Sequence, residues 1–166
     1  MVVGMSLETF TLAHVVLSLV GIASGFIVLF GMIGAKRLDG WAALFLATTV
    51  LTSVTGFFFP VAGFMPSHAV GIISLVFLAA ALVALYVYRL AGTWRWIYVV
   101  GAVAALYLNV FVAVVQAFRK LSFLEPLAPS QSEPPFLVAQ LVVMAIFIVL
   151  GILAVRRFHP GERAAA

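Results

Sequence analysis

Residues 93–120 read TWRWIYVVGAVAALYLNVFVAVVQAFRK. A basic, aromatic start and a basic finish enclose a long apolar interior. About 20 apolar residues rising 1.5 Å each cross a hydrocarbon core of roughly 30 Å, so this stretch predicts a membrane-spanning helix. One face carries Asn109, Gln116 and Lys120. Offsets of about 7 and 11 residues return to nearly the same helical angle. An amide facing lipid is costly, so this face is expected to look at other helices or at water.

The same logic holds for the whole chain of 166 residues, 66% of them hydrophobic and 8% charged. Soluble domains average about 45–50% apolar and about 25% charged residues, so here the lipid bilayer is the expected solvent and first partner. The formal charge of +4 is spread over helix ends rather than gathered in one patch, which argues against a nucleic-acid partner. Cysteine is absent, which excludes disulfides and thiolate chemistry.

Four more apolar runs accompany the first, and the expected helices are 7–33, 40–61, 68–91, 94–118 and 134–155. Ser6, Asp39, Ser67 and Ser132 are the expected N-caps, and Gly34 and Gly92 the expected stops. Pro134-Pro135 suits a first turn, where missing N–H groups cost nothing. The Gly92-Thr93 link predicts an antiparallel hairpin of helices three and four. The opening MVVGMSLETF has no basic residue before its apolar run and carries Glu8, so a retained first helix is expected rather than a cleaved signal.

With five spans, Lys36, Arg37, Arg89, Arg95, Arg156, Arg157 and Arg163 share one side, and only Arg119 and Lys120 fall on the other. This bias predicts a cytoplasmic C-terminus and an outside N-terminus, with Trp41, Tyr86, Tyr88, Trp94 and Trp96 as a cytoplasmic aromatic belt. The 119–133 connection would be an external loop whose LSFL portion lies on the membrane or covers the bundle end, and 156–166 a cytoplasmic tail.

Counting depth from the basic ends puts His14 about 33 Å, His68 about 31 Å, Asn109 about 21 Å and Gln140 about 24 Å from them. Thr52 and Ser53 lie at about 20 Å, and Gln116 is near the far boundary. The polar intramembrane residues therefore gather in the outer half. His14, Thr52, His68, Asn109, Gln116 and Gln140 are the candidate lining of an outward polar pocket. The alternative reading is interhelical glue. Gly21-x-x-x-Gly25 and Gly101-x-x-x-Ala105 are close-packing surfaces, and the hydroxyls of Thr48, Thr52 and Thr55 can return to carbonyls of their own helix.

His14 and His68 lie at similar depth on different helices, as two axial ligands of a b-type haem would. Against this, a histidine in a first turn beside Pro66-Ser67 is ordinary interfacial chemistry. No acidic or basic residue lies within the hydrocarbon depth, unlike proton-coupled pumps. No phosphate loop, zinc-protease motif or hydrolytic triad is present.

Three stretches carry a likeness: TTVLTSVTGFFFP at 48–60, MPSHAVGIISL at 65–75, and ALYLNVFVAVVQAF at 105–118 followed by APSQSEPPF at 128–136. Together they resemble uncharacterised small multi-pass inner-membrane proteins of Gram-negative bacteria. The resemblance implies a bacterial inner-membrane location and transfers no catalytic or binding residue.

The expected fold is an all-α, polytopic bundle of five transmembrane helices forming one domain. The expected function is non-enzymatic, as an accessory subunit or small-ligand binder, without a cofactor, working with a membrane-protein partner or as a homo-oligomer. Two alternatives stand beside it: a haem b or quinone-binding redox module using His14 and His68, and an oligomeric pathway for a neutral small molecule.

Overall fold

A computed structural model describes residues 2, 4–60, 63 and 65–160. The described residues form an all-helical bundle without strands. Helix α1 spans Leu7–Ile33, α2 Asp39–Thr55, α3 Pro66–Leu82, α4 Trp94–Lys120 and α5 Pro134–Arg157. A 3-10 turn, Gly56–Phe58, extends α2, and a π-helical turn, Val83–Val87, extends α3. All five helices are long and apolar enough to cross a membrane.

The helix ends show which local signals decided the chain's course. The Ser6 hydroxyl accepts the Thr9 N–H at 3.2 Å, as an N-cap does. Gly34 caps α1, but the left-handed residue there is Ala35 (φ 55°), which brings the Lys36 N–H to the Gly31 carbonyl at 2.8 Å. Asp39 is not the α2 cap. It is the first helical residue, and its carboxylate pairs with Arg37. Ser67 is likewise not a cap, because Pro66 already occupies the first helical position and Met65 precedes it. The His68 imidazole closes that end by accepting the Met65 N–H at 3.1 Å.

Helix α3 stops earlier than residue 91. The Tyr88 N–H bonds to the Val83 carbonyl and the Leu90 N–H to that of Ala84, with Arg89 (φ 49°) and Leu90 (φ 63°) left-handed. Ser132 is displaced as the α5 cap by Glu133, whose carboxylate turns back onto the preceding loop. The expected end of helix two at Val61 lies outside the described residues, as does the tail from 161 onward with Arg163.

The core forms where α1, α2, α3 and α4 meet, around Leu29, Phe45, Leu46, Leu78, Val99 and Leu106. Glycines set the helix spacing. A Cβ on Gly25 would lie 2.6 Å from Leu106 Cδ1 and 3.0 Å from the Phe45 ring. One on Gly101 would lie 2.8 Å from the Phe77 carbonyl oxygen. Both small-residue motifs are thus true close-packing surfaces, α1 on α2 and α4, and α4 on α3.

Chain direction puts Lys36, Arg37, Arg89, Arg95, Arg156 and Arg157 at one end of the bundle, the basic end. Trp41, Tyr86, Tyr88 and Trp96 are exposed there, and Trp94 stacks on Tyr88 at 3.8 Å between centroids. At the opposite end, the 121–133 connection folds over α4 and α5. Ala128 is buried with Phe118 and Phe136, and Leu124 packs on them, while Phe123 stays exposed.

Candidate functional site

Five of the six candidate residues form contacts, in separate places along the half of the bundle away from the basic end. His14 belongs to an aromatic clamp. Two of the three phenylalanines after α2 divide between neighbours, while Phe58 is exposed: Phe59 sits edge-on to both Phe10 and His14, each at 5.1 Å, and Phe57 stacks on His68 at 5.4 Å. Gly71 leaves the room for Phe57, since a Cβ there would lie 3.2 Å from its ring. Sequence reading passed over this division of Phe57 and Phe59. Their alternation after α2 was the available signal.

The His14 Nδ1 lies 2.8 Å from Thr55 Oγ1, and Thr55 Oγ1 lies 2.7 Å from the Leu51 carbonyl. A hydroxyl has one proton, and the carbonyl can only accept. Thr55 therefore donates to Leu51 and accepts from His14 Nδ1–H. This assigns the neutral His14 tautomer with its lone pair on Nε2. His68 is the reverse: its Nδ1 accepts the Met65 N–H, so the neutral ring carries its proton on Nε2. A haem held by both rings through Nε2 would suit the tautomer of His14. It would require His68 to give up its bond to Met65.

Thr52 is buried and donates to the Thr48 carbonyl at 2.8 Å; Thr48 donates to Leu44 at 2.7 Å. These hydroxyls are satisfied within their own helix. Asn109 Nδ2 approaches Thr49 Oγ1 at 3.4 Å, and Ser53 donates to Ser74 at 3.2 Å, so α2 is tied to α4 and to α3. The Asn109 contact exists because Gly21 of α1 has no side chain: a Cβ there would meet Thr49 Oγ1 at 3.1 Å and Asn109 Nδ2 at 3.4 Å. Gln116 is exposed.

Gln140 differs from the rest. It is 8% exposed, and its Nε2 donates to the Phe111 carbonyl at 3.1 Å across the α4–α5 seam. Its Oε1 is buried without a hydrogen-bond donor among the described residues. Rotating the amide would turn oxygen toward a carbonyl, so the orientation is fixed and the acceptor is left over.

The basic end holds a second feature that sequence reading used only for topology. Arg95 Nη1 donates to the carbonyls of Val155 at 3.0 Å and Phe158 at 2.7 Å, closing the end of α5. Beside it opens a cleft of about 530 Å³, lined among others by Arg37, Arg89, Arg95 and His159.

Compared with family models, curated proteins and solved structures, the chain matches none.

Proposed function

We propose that the protein is a non-enzymatic accessory subunit of a bacterial inner membrane, N-terminus outside and basic end in the cytoplasm. Its α4–α5 seam receives a hydrogen-bond donor from a partner helix at Gln140. The observation that carries this reading is the unpartnered Gln140 Oε1. The chain itself encloses Oε1, so the seam must open for a neighbouring chain's donor to reach it; a buried acceptor left unsatisfied costs about 1–3 kcal/mol, which favours that opening. Helix α5 supports it further, because it is the least enclosed span: 17% of its most apolar window is buried, against 44% for α4. The orientation rests on the bias of basic residues toward one end.

The absence of cysteine makes the test clean. Leu141→Cys places a single thiol on the exposed side of α5, next to Gln140. Coupling this thiol to a benzophenone maleimide, which inserts into any neighbouring C–H bond on irradiation, is expected to give a discrete heavier adduct in native membranes, reduced several-fold when Gln140→Leu is added. A chain that stays at its own mass, or an adduct indifferent to Gln140→Leu, overturns the proposal.

A further inference from the structure

The cleft at the basic end is built by parts of the chain far apart in sequence. Arg37 comes from the α1–α2 connection, Arg89 from the turn after α3, Arg95 from the first turn of α4, and His159 from just beyond α5. Its volume of about 530 Å³ falls within the few hundred to about 1,000 Å³ typical of small-ligand sites. Gly92 also lines it, at φ 51° and with open space where a Cβ would be, so the backbone leaves the mouth clear.

The charges are poorly balanced. Lys36, Arg37, Arg89, Arg95, Arg156 and Arg157 stand at this end against one carboxylate among the described residues, Asp39. Among the described residues, Asp39 is engaged by Arg37 Nε alone. Arg95 commits Nη1 to the end of α5, and its other donors make no bond among the described residues. Arg89 forms no hydrogen bond or ion pair among them. Guanidinium groups converging on one open volume suit a tetrahedral oxyanion, which they engage through paired N–H donors. The cleft also lies level with the exposed aromatic residues Tyr86, Tyr88 and Trp96, the depth at which lipid headgroups sit.

We infer that this cleft binds a phosphate group, held by Arg89 and Arg37 with Arg95 and His159 at its wall. A phosphodiester lipid headgroup and free inorganic phosphate share that chemistry. The inference is independent of the partner proposed for the α4–α5 seam, which lies in the other half of the bundle.

The test uses the full chain in an uncharged detergent. Retention of phosphatidylglycerol against diacylglycerol, which lacks the phosphate, is read by native mass spectrometry. Binding of inorganic phosphate is read from the fluorescence of Trp94 and Trp96, which flank Arg95. Arg89→Gln and Arg37→Gln, on two different connections, are each expected to weaken binding about tenfold, the effect of losing one charge-assisted contact. Arg119→Gln at the opposite end is expected to leave it unchanged. Response to phosphatidylglycerol alone identifies a lipid headgroup; response to both probes identifies the phosphate group itself. Either supports the inference if the two variants lose it. Wild-type protein that takes up neither probe, or variants that bind like wild type, overturns it.

Discussion

The His14 imidazole donates through Nδ1 to the Thr55 hydroxyl at 2.8 Å, joining α1 to the last residue of α2. Because Thr55 gives its own proton to Leu51, the bond has one direction only. An asparagine amide reproduces an Nδ1–H donor, whereas glutamine places its amide nearer the Nε2 position. His14→Asn is therefore expected to keep most of the stability, and His14→Ala to lose about 1 kcal/mol or somewhat more. His14→Gln should resemble the alanine variant. Thermal unfolding in mild detergent checks the ranking, and equal losses in all three would show that the bond from Nδ1 to Thr55 contributes no stability.

Gly101 tests the packing of α3 on α4. Its missing Cβ would sit 2.8 Å from a backbone oxygen, that of Phe77, which cannot swing aside. Gly101→Ala is expected to cost about 1–3 kcal/mol through separation of the two helices. Gly40 is the control: a Cβ there meets nothing within 4 Å, so Gly40→Ala should be neutral or slightly stabilising. Denaturation by graded sodium dodecyl sulfate distinguishes the two. Equal behaviour would show that α3 and α4 are not in close contact.

Glu133 is expected to give the loop over the far bundle end a pH dependence. Its carboxylate accepts the Ser130 hydroxyl at 2.7 Å, the Ser130 N–H at 3.1 Å and the Ser132 N–H at 3.1 Å. The hydroxyl bond contributes most to holding its pKa below the ordinary value, 4.5. The folded-state value is the depressed one. The stabilisation is therefore fully present above the ordinary value and is lost as pH falls from there through the folded-state value. Protease susceptibility of the 121–133 loop should rise over that acid range in the wild type. Glu133→Gln should show a flatter profile; identical profiles would remove the carboxylate from this role.

The five long apolar helices, their order, and the collection of charge at one end of the bundle were legible in the sequence. Apolar length and the placement of Lys36, Arg37, Arg156 and Arg157 are local properties that do not depend on what each helix touches. The Ser6 cap was legible for the same reason. So was the possibility that Thr48, Thr52 and Thr55 bond within α2, because a hydroxyl reaches its own preceding turn whatever lies beyond.

The tertiary structure decided what depends on helix rotation. Helices that are apolar on nearly every face carry little pattern to say which side meets another helix. Hence the sequence marked Asn109 and Gln140 as costly in lipid, but only the packed bundle gave Asn109 to Thr49 and left Gln140 Oε1 over. Phe57 and Phe59 diverged toward α3 and α1 because α2 ends in a tight turn between them. Arg95 reaches the α5 carbonyls across 60 and 63 residues. That contact is set by how five helices pack together, not by any interval along the chain.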